Sequence, residues 1–396
     1  MRVLSVTAQK PCSTGSGVYL TEVVRSLAKM GVSQAVVAGV TREDRVDMPE
    51  GVTVYPVYFS SEKLPYPVVG MSDDMPYTST RYRDMTEEMA GQFKAAFLEV
   101  LDEAIEKENP DIILCHHLYY LTALIRAHYP AKKVYGFCHN TDLRQMESIS
   151  FERNFIRQEI PKLDRIFALQ EAQKEKIKKI YPVSEKQMTA IGTGYNSEVF
   201  KKTGIKLSRK DGKIRMIFAG KITQKKGVKS LLRALNLLDY EKEKIQLILA
   251  GGAGNLVEYE EIKELADGCR YPVVFAGCVT QSRLAELYND CDIFVLPSMY
   301  EGLPLTVIES LACGDRVVMT KLEGIAEWLA DMVPDADIRY VLPPGMKGTD
   351  EPLEEELPAF ESRLAEALRE AIEEKDTKEC DVSRISWQKI AREVIR

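Results

Sequence analysis

Short apolar runs recur along this sequence from one end to the other, separated by stretches with a helical period. Residues 2–6 form the first run. Residues 17–30 follow, with Leu20, Val23, Val24 and Leu27 on one helical face. Runs at 35–40, 52–57, 111–114, 133–137, 165–169 and 188–191 continue the series. It restarts at 215–219 and passes through 246–250, 273–276, 292–296 and 316–319. A strand that is apolar throughout is buried on both faces, as in a parallel sheet, and parallel strands need helical crossovers. The pattern therefore predicts an α/β chain with two doubly wound parallel sheets. A length of 396 residues suits two domains.

Two stretches depart from the rhythm. Residues 59–85 are rich in Pro, Ser, Tyr, Asp and Met and show no period, so they read as a long functional or mobile loop. Residues 192–194 and 201–213 read as the linker between the halves. From Lys201 to Lys226 the chain carries ten basic residues against the single Asp211; up to Lys213 these read as a solvated basic linker. Residues 85–109 read as a long helix, with Glu87, Glu88, Glu99, Asp102, Glu103 and Glu106 outward. An acidic face is unsuited to anionic lipid.

Charge and cysteine usage narrow the class further. A net charge of −7 argues against nucleic acid as a partner. No run of 18 apolar residues is present, and the chain starts directly in a strand, so we expect no membrane span, no signal peptide and a cytoplasmic protein. The eight cysteines show neither a C-x-x-C pair nor a zinc spacing, and four histidines are few for a metalloenzyme. Asp73-Asp74 has no neighbouring ligand, and we expect no metal requirement.

The stretch 297–314 carries the chemistry. It follows the apolar run 292–296 and leads into a helix, with Pro304 at the first helical position and Gly314 just past the end. Neither Gly302 nor Leu303 can cap the helix by a side chain, so its first N–H groups are left for a ligand. An uncapped helix start at the carboxyl end of a parallel strand favours an anion such as phosphate. Glu301 precedes this helix, and Glu309 lies within it.

Several fragments, taken in order, resemble the GT-B glycosyltransferases, specifically the retaining group called family 4. Glu301 and Glu309 stand at that family's E-x7-E spacing. Gly220-Lys221 followed by Lys226-Gly227 resembles its diphosphate clamp, and Gly251-Gly252-Ala253-Gly254 its G-x-G after a strand. The segment 275–279, ending in Val279, resembles the strand and turn that contact the nucleobase. Ser386-Trp387-Gln388-Lys389-Ile390 resembles the start of the closing helix. In the first half, Thr14-Gly15-Ser16-Gly17 resembles the glycine loop, and His139 the active-site histidine at a strand end. Residues 194–200 resemble the hinge. Three positions depart from the pattern: Lys221 for Arg, Gln170 for Ser, and Asp315-Arg316 where a proline usually follows the glycine.

The resemblance implies two Rossmann-like domains facing across a cleft. Residues 1–194 would bind the acceptor and 195–375 the nucleotide sugar, with 376–396 crossing back to the first domain. Cleft closure would keep water from the donor. Donor contacts are expected from Gly15, Ser16, Gly17, Gly220, Lys221, Lys226, Gly252, Val279, Glu301, Gly302, Leu303, Pro304, Leu305, Thr306 and Glu309. Glu301 would meet sugar hydroxyls and Glu309 the ribose. Lys221 and Lys226 would neutralise the leaving diphosphate. His139, Glu301 and Lys226 are the catalytic candidates, although a lone histidine equally suits a structural role.

Acceptor contacts are expected from His116, His117, Asn140, Asp142 and Arg144. Adjacent strand residues point opposite ways, so at most one of His116 and His117 should reach a ligand. Asp142 either pairs with Arg144 or touches acceptor. The implied function is transfer of a sugar from a nucleotide sugar, UDP-linked before GDP-linked, to a saccharide or other small acceptor, without cofactor or metal. A phosphorylase, a sucrose-synthase-like enzyme or a non-catalytic nucleotide-sugar-binding subunit is the alternative. The first glycine loop also raises a dinucleotide-binding reading, but Leu20 occupies its third glycine position.

Overall fold

The first strand, β1 (Arg2–Thr7), buries every residue after Arg2. A strand without an exposed face belongs in the middle of a sheet covered on both sides. It lies there in a computed structural model of the chain, which describes residues 1–396 apart from 12, 74, 205, 207–210, 349–350 and 375–379. The chain divides into two units, Met1–Gly194 with Ser386–Arg396, and Tyr195–Ile385.

In the first unit β1 is joined by β2 (Ser33–Val40) and β3 (Thr53–Tyr58). A separate small pair, β4 (Val69–Gly70) and β5 (Thr80–Arg81), comes next in the chain. Then follow β6 (Ile112–His116), β7 (Lys133–Phe137), β8 (Arg165–Ala168) and β9 (Met188–Ala190), giving a parallel sheet ordered β3-β2-β1-β6-β7-β8-β9. Pro56 is tolerated because β3 is an edge strand, where a missing N–H breaks no ladder. The Gly15–Lys29 helix starts at Thr14, whose hydroxyl accepts from the Gly17 N–H at 3.1 Å, and it buries Leu20, Val23, Val24 and Leu27. The Glu87–Glu108 helix is capped by Thr86 and buries Phe93, Phe97 and Leu101. Each buried side chain of that size contributes about 2 kcal/mol.

The aperiodic stretch 59–85 is not a loose loop. Phe59, Leu64, Tyr66, Val68, Val69, Met71 and Tyr82 are buried in the core of the first unit. Its period is absent because irregular backbone packs these side chains one at a time. Asp73 accepts from Arg83 at 2.5 Å and Arg144 at 3.2 Å. Asp74 lies outside the described residues. The Tyr120–His128 helix has no counterpart in the sequence reading. It is buried from Tyr120 to Arg126, so it lacks the polar face that makes a helical period visible.

The second unit repeats the plan with β10 (Ile214–Ala219), β11 (Ile245–Ala250), β12 (Val273–Gly277), β13 (Ile293–Leu296), β14 (Arg316–Thr320) and β15 (Ile338–Val341), ordered β12-β11-β10-β13-β14-β15. A short antiparallel pair, β16 (Met346–Lys347) and β17 (Glu351–Pro352), is appended. Residues 380–385 also belong here, Arg384 donating to the Asp331 carbonyl at 2.6 Å. The segment that returns to the first unit thus begins at Ser386 rather than at 376. Its Trp387–Val394 helix is tied down by Arg165, which donates to Glu393 Oε1 at 2.8 Å.

The linker reading needs one correction. Lys206 is not a solvated charge: its Nζ lies 2.6 Å from Oδ1 of Asp315, whose side chain is fully buried. Thr203 donates to Asn289 Oδ1 through both N–H and hydroxyl, at 2.7 and 2.9 Å. The departure at Asp315 therefore anchors the linker to the end of the Leu305–Cys313 helix.

In both units the chain reverses its course across the sheet beside the first strand, between β1 and β6 and between β10 and β13. The carboxyl ends of strands at such a point are where doubly wound sheets take ligands.

Candidate active site

In the second unit the loops after β10, β11, β12 and β13 are stitched into one rim. The Gly220 N–H donates to the Ala250 carbonyl at 2.9 Å, and the Ile222 N–H to that of Gly252 at 3.0 Å. A Cβ at Gly251 would collide with the Gly220 carbonyl, so these backbones can approach only through glycine. Gly252 in turn abuts the Cys278 thiol, next to half-buried Val279. On the other side, Gly227 (φ +73°) sits against the Pro297 carbonyl, and the Met299 N–H donates to the Lys225 carbonyl at 2.9 Å. Lys226 Nζ then reaches Glu301 Oε1 at 2.6 Å.

Beyond Glu301 the chain passes Gly302 and Leu303 to the Leu305–Cys313 helix. Pro304 is its capping residue, extended at φ −74°, rather than its first helical residue, and no side chain caps the helix start at Leu305 and Thr306. Glu309 is buried on this helix at 6% exposure. Lys221 is half-buried at the start of the clamp loop. Gly220, Lys226, Gly252, Glu301 and the uncapped helix start thus share the switch-point end of one sheet.

In the first unit three histidines gather at the corresponding place. His116 ends β6, and its Nδ1 lies 3.0 Å from Nε2 of His139, just past β7. His117 Nε2 lies 3.1 Å from Ser16 Oγ, on the first turn of the Gly15–Lys29 helix. The His117 and His139 rings are 4.8 Å apart. The expectation that these neighbours diverge fails because His117 leaves the strand at φ +74° and the alternation stops there. Asn140, at φ +73°, repeats the feature after β7. Two such non-glycine residues on one rim hold strain of about 1–3 kcal/mol each, as binding sites often do. Gly15 faces open space and Gly17 is buried.

Two acceptor assignments require correction. Asp142 is fully buried; its carboxylate accepts from the backbone N–H groups of Leu118 at 2.7 Å, His139 at 3.2 Å and Leu143 at 3.2 Å. It ties the β6 and β7 loops together, and burial pushes its pKa up against those hydrogen bonds. It does not pair with Arg144, which turns to Asp73 because residues two apart on a helix do not face each other. His116 turns its Nδ1 to His139 at 3.0 Å and its Nε2 is enclosed, so it lines no surface.

Burial holds all three imidazoles neutral. It drives His116 and His117 well below the usual histidine range, helped by the neighbouring rings, and His139 down to about 3. Gln9 and Tyr19 are residues that sequence reasoning missed, as it did the contact that Trp387 makes with Tyr19. Gln9 is 3% exposed and its Oε1 accepts from Ser16 at 3.4 Å. Tyr19 meets His139 edge-on at 5.2 Å and Trp387 at 4.9 Å, and its hydroxyl donates to the Gly192 carbonyl at 3.1 Å. Gln170 fills the place of the usual serine by capping the Glu171–Ile180 helix with its side chain.

Two family models match this chain consecutively: Glycosyltransferase Family 4 over residues 13–199 and Glycosyl transferases group 1 over residues 200–356. The chain belongs to the family 4 glycosyltransferases. It is 24% identical over 253 residues to alpha-maltose-1-phosphate synthase of Mycobacterium tuberculosis, 58% of the chain and 61% of that protein. It is 28% identical over 172 residues to an uncharacterized glycosyltransferase of Methanocaldococcus jannaschii, 41% of the chain and 44% of that protein. The chain thus spans less than two thirds of the length of these curated relatives. Among solved structures, sucrose-phosphate synthase from Thermosynechococcus elongatus superposes with a TM-score of 0.70 at 16% identity, covering 100% of the chain and 97% of its own. Anabaena HepE in complex with UDP-glucose gives 0.65 at 14% identity, covering 100% and 98%. At those identities the structures establish the GT-B fold and no more. Among the described residues no helix is long and apolar enough to cross a membrane.

Proposed function

We propose that this transferase moves a sugar with retention of configuration from a nucleotide sugar, UDP-linked in preference to GDP-linked, to a saccharide or similar small acceptor. The observation that carries the reading is the Lys226–Glu301 pair beside the uncapped Leu305 helix start. A diphosphate at that helix start would draw Lys226 toward its growing charge as the glycosidic bond breaks. Glu301 would then accept from sugar hydroxyls, and Glu309 from the ribose. The Gly220, Gly252 and Val279 rim would carry the nucleoside.

No carboxylate in this set is assigned as a covalent nucleophile, and the leaving phosphate is proposed to receive the acceptor's proton. His139, Ser16 and His117 are proposed to contact the acceptor. The UDP-glucose held by HepE supports the preferred donor. No metal is assigned to the reaction. The reading includes a reducing cytoplasm, which the free thiols of Cys115, Cys138, Cys291 and Cys313 suit.

A calorimetric panel of UDP-, GDP- and ADP-sugars, with and without chelator, tests this. One donor class should bind with and without chelator, and Lys226→Met should weaken it about 10- to 100-fold. Binding by none of the donors, or binding indifferent to both Lys226→Met and Glu309→Ala, would overturn the reading.

A further inference from the structure

His116 stacks against Phe137 (ring centres 4.9 Å apart) and lies nearly parallel to His139 (5.2 Å, planes within 11°). Its Nδ1 faces His139 Nε2 at 3.0 Å. Its other nitrogen, Nε2, is enclosed and meets no partner among the described residues. A neutral imidazole carries one N–H, so the contact can be made in two ways. If His139 donates, His116 must bear its proton on Nε2, leaving a buried N–H with nothing to receive it. If His116 donates, only a lone pair is orphaned. Buried N–H groups without acceptors are the rarer of the two.

We infer that His116 is a positioning residue: it donates its Nδ1 proton to His139 Nε2 and so holds His139 as the tautomer protonated on Nδ1. His139 then has its lone pair occupied from below and can offer a ligand only an N–H. It is a hydrogen-bond donor rather than a general base. Its natural partner is an oxygen, either a sugar hydroxyl or one that gains charge during transfer. This last step rests on the transferase reading; the tautomer does not.

The test is made on the full chain, labelled with 15N at histidine. Long-range proton–nitrogen NMR reports which ring nitrogen carries hydrogen, and with four histidines, single variants assign every signal. His139 should appear with Nδ1 protonated and Nε2 bare. His116→Phe keeps the stacking and removes the donor, and should shift the tautomer ratio of His139 toward Nε2–H by about tenfold, the equivalent of one net hydrogen bond. His116→Asn, with an amide N–H near the same place, should restore it. A wild-type His139 protonated on Nε2 overturns the inference, as does a ratio unchanged in a folded His116→Phe protein. If the Phe variant does not fold, the wild-type spectrum decides alone. A tautomer found as inferred in a protein that binds no nucleotide sugar would leave this inference standing and the transferase reading refuted.

Discussion

Three neutral histidines packed together make the first unit sensitive to mild acid, and the size of the effect follows from the structure. The unfolded chain protonates each imidazole near its ordinary value of 6.5, whereas the folded chain holds His116 and His117 well below that value and His139 near 3. Between those limits the unfolded state binds more protons, so stability is complete above pH 6.5 and is lost as pH falls below it. Each histidine contributes up to about 1.4 kcal/mol per pH unit, so lowering the pH from 6.5 to 5.5 should destabilise the unit by about 3 kcal/mol. Asp142 works the other way: its raised pKa makes the folded state gain stability as pH falls. The fourth histidine, His128, is half-exposed in the same unit, with no share in this cluster. Urea unfolding followed by Trp387 fluorescence, in a Trp328→Phe background, isolates the transition of the first unit. The expected result is a midpoint that drops steeply below pH 6.5, with a slope that loses about one proton in His139→Gln. A flat midpoint from pH 6.5 to 5.5, or a slope unaltered by His139→Gln, would refute the reasoning.

Two further outcomes follow from single residues. Gly227→Ala places a methyl group against the Pro297 carbonyl at a φ of +73°, so thermal denaturation should show a loss of about 2–4 kcal/mol, with weakened nucleotide-sugar binding because the Lys226 loop must shift. Lys206→Met removes a cation 2.6 Å from the fully buried Asp315 carboxylate and should destabilise the second unit by about 3 kcal/mol, while Lys206→Met with Asp315→Ala should lose less; equal losses in urea melts would refute the pairing.

The strands were legible because burial on both faces erases alternation, and β1 or β13 can be little else. The Tyr120–His128 helix was not legible, for the complementary reason that it buries nearly all its faces. The glycine rim of the second unit was readable because glycines at close backbone approaches and a charged pair at a strand end leave local marks. The histidine cluster was half readable. All three histidines stand at strand ends in sequence, but their convergence depends on the turn at His117, which strand alternation does not anticipate. Asp142 misled for a similar reason: its partners are backbone N–H groups, and any sequence supplies those. Tyr19 and Trp387 meet only after the chain has returned from the far end, and although Trp387 opens the closing-helix segment, nothing in that segment names Tyr19 as its partner. Lys206 was hidden in a run of like charges, where one buried pair looks the same as its solvated neighbours.

The return at Ser386 makes the second unit an insertion within the first. A ribosome therefore releases residues 1–194 long before the helix that covers Tyr19 exists. Until Trp387 arrives, the Tyr19 ring and the Gly15–Lys29 helix lack the partner they have in the finished protein. The first unit begins folding first and is completed last, so a chain stopped anywhere in the second unit also leaves the histidine site without its outer wall.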